Sequence, residues 1–317
     1  MSVILPALLG SESAQAAIEA WEMQTNREDL EIILLCPDAE AAQQRLGERF
    51  LTICTESLYL HEARAEGIRL AKADNLFLAE DHCLPAPDCV AKLVDRLAEG
   101  WDAVGSVLQA GTKTAAGEAG FLCGYGEWTA PLRAAEVEHL AGHNLLIRRQ
   151  PFIDLGDRLS DRLFICGFCI GNFHRQGLRF FLEPTARMTH YDPPTFRRQL
   201  FIFLVSGLGF GACRTDDWSW PVRGLFVVAF PMVAATHWLR LWRVLPRLDL
   251  SPGKHLKLLL AAIPIVIVWG VGEAVGAILG QRCVEGVTWQ AEVKPVTPEI
   301  VAARKNSGNF QRADQPA

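Results

Sequence analysis

A change of charge and hydropathy near residue 196 divides this sequence into two unlike parts. Residues 1–195 carry 17 Lys and Arg against 28 Asp and Glu, a net charge of −11. Residues 196–280 carry 9 against 4, a net charge of +5, and hold three long uncharged runs. An acidic part of domain size followed by a basic, very apolar part indicates a protein that sits on or in a membrane. The overall charge of −5 leaves no basic field for nucleic acid.

Short apolar runs alternate with helical patterns along the first 110 residues. The patterns predict strands at residues 3–9, 30–36, 50–55, 75–79 and 103–108, with helices at 13–25, 61–73 and 87–99. Such alternation predicts an α/β fold with a mostly parallel sheet and helices on both faces. Ligands bind these sheets beyond the carboxyl ends of the strands, so the loops after residues 9, 36 and 79 are candidate binding loops.

The loop after the fourth predicted strand carries three chemistry-bearing side chains, Glu80, Asp81 and His82. Hard cations prefer oxygen ligands, and a nucleoside diphosphate needs its negative charge neutralised. The loop is therefore a candidate metal or phosphate site. The alternative is a solvated turn in which Asp81 caps the following helix.

The nine cysteines are scattered, and no export signal is recognisable, which predicts free thiols in a reducing compartment. Cys166 and Cys169 have the spacing of a redox pair. They lie inside an apolar stretch rather than after a clear strand, which favours a buried helical pair.

Several stretches, taken in order, resemble family 2 glycosyltransferases. Residues 3–7, 30–38, 63–68 and 77–82 resemble the nucleotide-sugar half of that family, and 142–149 and 174–184 resemble its acceptor-side strand and its closing helix and strand. Together they cover most of residues 2–192. The Glu-Asp-His form of 80–82 is similar to that of a bacterial subgroup with a C-terminal membrane segment, which carries it in place of Asp-x-Asp.

The resemblance implies a GT-A (Rossmann-like) fold and transfer of a sugar, in the manner of a hexosyltransferase, from a nucleotide donor to an acceptor. It implies nucleotide-sugar contacts by Pro6, Ala7, Asp38, Arg64, Glu80 and Asp81. It implies a divalent metal, Mg²⁺ or Mn²⁺, on Asp81 and His82, with His190 as a further group that can hold metal or diphosphate. His143 and Asn144 fall on the acceptor side. The match at Asp38 is shifted, because Cys36 and Pro37 occupy the family's usual Asp-Asp.

The chain departs from the family at the general base. Inverting members carry a carboxylate about eleven residues before the glycine that corresponds to Gly177, and that count reaches Cys166. A thiol cannot take a proton from a sugar hydroxyl as a carboxylate does. The nearest acids are Asp157 and Asp161, and Asp161 is the predicted catalytic residue. The alternatives are a base elsewhere or a chain that binds nucleotide sugar without efficient transfer.

The apolar part predicts membrane helices within residues 196–282, between a glycosyltransferase domain at 1–195 and a polar, partly disordered tail at 283–317. Of the uncharged runs 199–213, 224–239 and 258–272, only the last extends far enough to cross a bilayer, through Gly280.

The segment 240–257 contains five basic residues, so the positive-inside rule predicts that it faces the cytoplasm. Gly272, Gly276 and Gly280 lie four residues apart, which predicts a face for close helix packing. Glu273 between them should pair with His237 or an arginine.

These patterns lead to two hypotheses. The first is a glycosyltransferase of the bacterial inner membrane, its catalytic domain facing the cytoplasm, that passes sugar with inversion to a lipid-linked or glycan acceptor of the cell envelope. The expected partners are a nucleotide sugar, that acceptor and membrane lipid, without nucleic acid. The second is a catalytically silent GT-A module that acts as a scaffold or regulator of a glycan-assembly complex.

Overall fold

The fold is known from a computed structural model that describes residues 1–293, except 56 and 58, with side chains described to residue 287. The strands are β1 (Ser2–Pro6), β2 (Glu31–Cys36), β3 (Leu51–Cys54), β4 (Asn75–Leu78), β5 (Cys83–Pro85), β6 (Ala103–Ala110), β7 (Ala135–Val137), β8 (Leu145–Arg148) and β9 (Phe180–His190). The helices of the first 195 residues are α1 (Gln15–Glu22), α2 (Ala39–Leu46), α3 (Leu60–Leu70), α4 (Cys89–Leu97), α5 (Ala115–Tyr125), α6 (Gln150–Ile153), α7 (Leu159–Leu163) and α8 (Cys166–Arg175).

The strands form one nine-stranded sheet in the order β3-β2-β1-β4-β8-β6-β9-β5, with β7 paired to β9. The first four positions in that order are all parallel, as the alternating sequence pattern predicts. β8 is antiparallel to both β4 and β6, while β6 and β9 are parallel to each other. The short strands β5 and β7 both pair antiparallel with β9.

The central strands are buried on both faces, which explains their continuous apolar sequences. In β1, Val3 and Leu5 belong to one hydrophobic cluster, and Ile4 between them belongs to the other. Successive strand side chains point to opposite faces, so a strand covered by helices on both sides has no polar face. The predicted α/β class, with helices on both faces of the sheet and apolar helices after it, is confirmed.

Five helices follow the sheet: α9 (Phe196–Arg214), α10 (Trp220–Val228), α11 (Phe230–Val244), α12 (Pro252–Leu279) and α13 (Gln281–Val293). The end of the predicted tail, residues 294–317, lies outside the described residues.

α9 and α12 approach each other through glycines on both helices. A Cβ atom built on Gly211 would lie 2.0 Å from the carbonyl oxygen of Glu273, and one built on Gly276 would lie 2.0 Å from that of Leu208. Gly272 is equally tight, with the Leu204 carbonyl at 2.4 Å. The predicted packing face is therefore confirmed at Gly272 and Gly276. Gly280 instead ends α12 with a φ of +74°.

Within the described residues, α12 is the single unbroken helix that is long and apolar enough to cross a membrane. α10 and the helix after it meet the same criterion only as a pair, and they are bent by 59° where they join. Pro231 lies in the first turn after this bend and lacks the backbone N–H that would continue the helix. α12 also exposes a row of large apolar side chains: Leu256, Leu260, Ile263, Ile267, Val271, Val275 and Ile278.

Glu273 is completely buried at the α9–α12 contact and has three partners. Its Oε2 accepts a hydrogen bond from Nε of Arg214 at 3.0 Å, and its Oε1 accepts one from Nε1 of Trp269 at 2.9 Å. Nε2 of His237 lies 3.5 Å from the same Oε1. The sequence predicted one partner for this carboxylate, His237 or an arginine, and the structure has both.

Candidate functional site

Three potential metal ligands converge at one edge of the sheet. Glu80 and His82 follow β4, and His190 ends β9; one donor atom from each lies within 4.8 Å of the others. The antiparallel pairing of β5 with β9 sets Cys83 opposite His190 and so brings the Glu80 loop to the end of β9. The cluster lies beyond the carboxyl end of β4, where α/β sheets bind ligands.

The Glu80 carboxylate lies at the centre of this cluster. Its Oε2 is 3.7 Å from Nε2 of His190 and 3.9 Å from Nε2 of His82. Oε2 also accepts a hydrogen bond from the Asn144 side-chain amide at 3.0 Å and lies 3.0 Å from Nδ1 of His143. Asn144 reaches it from a left-handed backbone conformation, with φ +60°, which asparagine tolerates better than most residues.

The surroundings keep Glu80 ionised. Burial opposes its charge, but the facing groups His143, His82, His190 and Arg64 outweigh burial and hold the pKa of Glu80 well below its usual value. Burial lowers the pKa of His143 to about 3, so that imidazole is neutral at physiological pH. An ionised carboxylate beside neutral imidazole nitrogens is a suitable donor set for a divalent cation.

An unsatisfied nitrogen supports a metal at this point. Nε2 of His190 is buried and has no hydrogen-bond partner among the described residues. Its other ring nitrogen lies 2.8 Å from Oδ2 of Asp192, the carboxylate–imidazole arrangement that orients metal-ligating histidines. His82 is supported in the same way, because its Nδ1 lies 2.9 Å from Oδ1 of Asp81. The residues therefore fit a divalent ion held by Glu80, His82 and His190.

Arg64 supplies a buried positive charge next to this cluster. It comes from α3, is only 4% exposed, and its Nη2 lies 3.6 Å from Oε1 of Glu80. Its Nε and Nη2 atoms have no hydrogen-bond partner among the described residues. A buried guanidinium with donors to spare is suited to bind phosphate oxygens.

These groups open into a cavity of about 650 Å³ that both parts of the chain line. The α/β part contributes Pro6, Arg64, Glu80, Asp81, His82, Tyr125, His143, His190 and Asp192. The helical part contributes Arg198, Ile202, Phe203, Ser206, Phe210, Arg214, Arg240 and Trp269. The C-terminal helices are thus a wall of the site as well as an apolar appendage.

The predicted nucleotide contacts at the first two strands have different positions. Pro6 lines the cavity, whereas Ala7 is completely buried behind it. Asp38 is not among the lining residues; it accepts hydrogen bonds from the backbone N–H of Ser11 at 2.8 Å and its hydroxyl at 2.6 Å. These bonds outweigh burial and lower the pKa of Asp38, so an ionised carboxylate fixes the loop after β1.

The predicted metal and acceptor residues lie together around Glu80. Asp81 lies outside the three-residue cluster and contacts it through His82. His143 faces Glu80 with one nitrogen, and its Nε2 is 3.1 Å from the Tyr125 hydroxyl. The assignments of Asp81 as a metal ligand and of His143 and Asn144 as acceptor contacts stay predictions.

The predicted base lies apart from these groups. Asp161 is exposed on α7 and is not among the residues that line the cavity, and its backbone carbonyl accepts a hydrogen bond from Gln281. Cys166 does line the cavity, and burial raises the pKa of its thiol to about 11. Cys166 and Cys169 are a buried pair of free thiols on α8, as the sequence favoured.

Sequence reasoning missed the contributions of Asp192 and Arg198. Asp192 stands two residues after His190, a spacing that could have indicated a supporting carboxylate. Arg198 lies within a basic pair at the start of an apolar run, which read only as a membrane-flanking charge.

Comparison with known proteins gives likeness of structure alone. No family model and no curated protein matches the sequence. Two similar solved structures are GalNAc-T7 with UDP, GalNAc and Mn²⁺ (TM-score 0.48, 16% identity, covering 69% of this chain and 52% of that one) and S. aureus TarS (TM-score 0.45, 10% identity, covering 65% and 39%). The chain thus spans about half of the first and less of the second. Likeness of this extent assigns neither activity nor substrate.

Proposed function

We propose that this protein is a membrane-attached, metal-dependent glycosyltransferase of the GT-A type. It takes a sugar from a nucleotide-sugar donor and passes it, with inversion, to an acceptor held between the α/β part and the C-terminal helices. The observation that carries the proposal is the convergence of Glu80, His82 and His190 beside the buried guanidinium of Arg64. A nucleoside diphosphate needs both kinds of group, a cation held by the protein and a donor to its phosphate oxygens.

We assign the metal to Glu80, His82 and His190, with Asp81 and Asp192 orienting the two histidines. Two imidazoles and one carboxylate suit Mn²⁺ better than Mg²⁺, because Mg²⁺ prefers oxygen ligands alone. When bound, the ion supplies positive charge that stabilises the diphosphate leaving group. Arg64 binds the same diphosphate from the α3 side, and Pro6 contacts the nucleoside. Tyr125 positions His143, and burial keeps the pKa of its hydroxyl well above the usual value, so it acts as a neutral hydrogen-bond donor.

Attachment to the membrane follows from the apolar surface of the C-terminal helices. The row of exposed side chains on α12 runs along the whole helix, and at about 1.5 Å per residue its 28 residues extend about 42 Å. That length exceeds the roughly 30 Å of a hydrocarbon core. Glu273 is the single acidic residue in the helix and is shielded by its three partners. We therefore propose that α12 spans the bilayer and that the bent pair α10–α11 enters it beside α12. The positive-inside rule then assigns Lys254 and Lys257, and with them the nucleotide site, to the cytoplasm.

Ligand-induced stabilisation tests the donor site directly. Full-length protein in nonionic detergent would be heated with UDP, GDP, CMP or dTDP, each with Mn²⁺, Mg²⁺ or no metal. A nucleotide at about 100 times its dissociation constant adds roughly 2.7 kcal/mol of apparent stability. One nucleotide should raise the midpoint, and Mn²⁺ should enhance that rise more than Mg²⁺. No rise with any nucleotide in the presence of Mn²⁺ would contradict the proposal.

A silent scaffold is the second candidate, and the raised pKa of the Cys166 thiol is the observation that favours it. A silent module and an enzyme would both bind nucleotide. They differ in slow hydrolysis of the matching nucleotide sugar by water, which an enzyme performs without acceptor and a scaffold does not. Hydrolysis by the wild type that is absent from Glu80→Gln would decide for the enzyme.

A further inference from the structure

The wall of the cavity formed by α9 has a regular chemical pattern. Every fourth residue from Arg198 to Arg214 lines the cavity, with Ile202, Ser206 and Phe210 between them. Residues four apart share one face of a helix, and sixteen residues at 1.5 Å each extend about 24 Å. α9 therefore presents a long, mostly apolar stripe with a guanidinium at each end.

Other helices extend this apolar surface. Phe164, Ile165 and Phe168 line the cavity from the α7–α8 segment, and Trp269 lines it from α12. Among the described lining residues on α8, α9, α11 and α12 the charged ones are all basic: Arg175, Arg198, Arg214 and Arg240. An apolar channel with cationic ends complements a molecule that has an apolar chain and an anionic head.

The two ends of the stripe differ in their charge balance. Arg214 is neutralised by the completely buried Glu273, which fixes it at 3.0 Å. Arg198 lies six residues after Asp192, at the end of the stripe next to the metal cluster. Burial lowers the pKa of its guanidinium, as expected for a cation partly withdrawn from water. A bound anion would offset that cost.

The cavity also limits how an acceptor can be activated. Glu80 and Asp81 are held by histidines, Asp192 lies against His190, and Glu127 faces Arg240 at 3.7 Å. A sugar hydroxyl would need one of these groups to take its proton. A phosphate monoester needs none, because its second pKa is near 6 and its oxygens already carry the charge at neutral pH.

We infer that the acceptor is a lipid with a phosphate head group, bound with its phosphate at Arg198 and its chain along the α9 stripe. This inference rests on the proposed function and names its acceptor. A phosphate oxygen forms the bond to the anomeric carbon as the bond from that carbon to the donor diphosphate breaks. The electron pair leaves with the nucleoside diphosphate, and no proton has to be moved.

Binding without nucleotide or metal tests the inference separately from sugar transfer. Full-length protein in nonionic detergent would be titrated with decyl phosphate, decanol and inorganic phosphate by calorimetry. Decyl phosphate should bind at least tenfold more tightly than either of the others. Equal affinity for decanol would refute the anionic head group, and equal affinity for inorganic phosphate would refute the lipid chain. A failed donor-site test would leave these binding results unchanged.

Matched variants locate the phosphate. Arg198→Gln should weaken decyl phosphate binding about tenfold or more and leave decanol unchanged, because a charge-assisted hydrogen bond is lost. Arg197→Gln removes the same charge from an exposed neighbour outside the cavity lining and should bind as the wild type does. Phe210→Ala should weaken decyl phosphate and decanol alike by about tenfold. Arg198→Lys, which keeps the charge, should retain most of the binding and so controls for folding. Equal affinities in Arg198→Gln and Arg197→Gln would overturn the assignment.

Discussion

Adding a single methyl group at Gly211 should separate α9 from α12 and destabilise the protein. A Cβ atom there would lie 2.0 Å from the Glu273 carbonyl oxygen and 2.6 Å from its Cα, against about 3.4 Å for ordinary contact. The helices would have to part by about 1.4 Å. The obstructing atoms are backbone, so no flexible side chain can move aside.

The expected magnitude for Gly211→Ala combines two opposite terms. Alanine favours the helix over glycine by about 0.5–1 kcal/mol. Overpacking costs about 1–3 kcal/mol, and a backbone contact this short belongs at or above the upper end. The net loss should be about 2 kcal/mol. Because Arg214 and Trp269 line the cavity from these two helices, the separation should also weaken binding of decyl phosphate.

Gly224→Ala is the matched control for this variant. Gly224 lies in α10, and its added Cβ would meet nothing within 4 Å, so the helix-propensity gain should appear alone. Thermal unfolding of both variants and of the wild type in the same detergent gives the comparison. A Gly211→Ala protein as stable as the wild type would refute the close-packing argument.

Three further predictions concern the candidate site. Asp81→Ala should weaken Mn²⁺-dependent nucleotide binding about 10–100-fold through loss of the support to His82, whereas Glu80→Gln should abolish it; wild-type affinity in either variant, measured by calorimetry, would contradict the assignment. Asp161→Asn should leave hydrolysis of the matching nucleotide sugar unchanged, because this side chain is exposed outside the cavity; a loss of 10²-fold or more would restore it as the base. Burial lowers the pKa of His143 to about 3, so the unfolded chain binds a proton there that the folded chain does not once the pH falls below about 6.5. Metal-free protein should lose about 2 kcal/mol between pH 6.5 and 4.5 from this group, and His143→Gln should show a correspondingly shallower decline in denaturant unfolding.

Much of the α/β part follows from local pattern. The run Leu-Glu-Ile-Ile-Leu-Leu-Cys at 30–36 is short, apolar and ended by Pro37, and it forms β2 with one residue of difference. The strands near the N-terminus pair with neighbours close in sequence, so their parallel order was also expected. The antiparallel strands β7 and β8 were harder to predict, because their partners lie far along the chain and their own sequences are short.

The candidate site was only partly visible in the sequence. Glu80, Asp81 and His82 were recognisable because three polar side chains directly follow an apolar strand. His190 could be placed beside them only by the pairing of β5 with β9, a contact across more than a hundred residues. Asp161 was chosen by counting along the chain, and counting does not reveal which way a helix turns its side chains.

The sequence by itself determined the strands, the division at residue 196 and the glycine face of α12, because each depends on periodicity or composition within one segment. Only the tertiary structure decided which side chains share the cavity. Glu80 meets His190, Arg64 and His143 from four separate segments, and the α9 stripe completes the cavity from the apolar part. These meetings depend on strand order and on how closely Gly207 and Gly211 let α9 approach α12. No local pattern encodes a distance between segments, because that distance is set by the packing of everything between them.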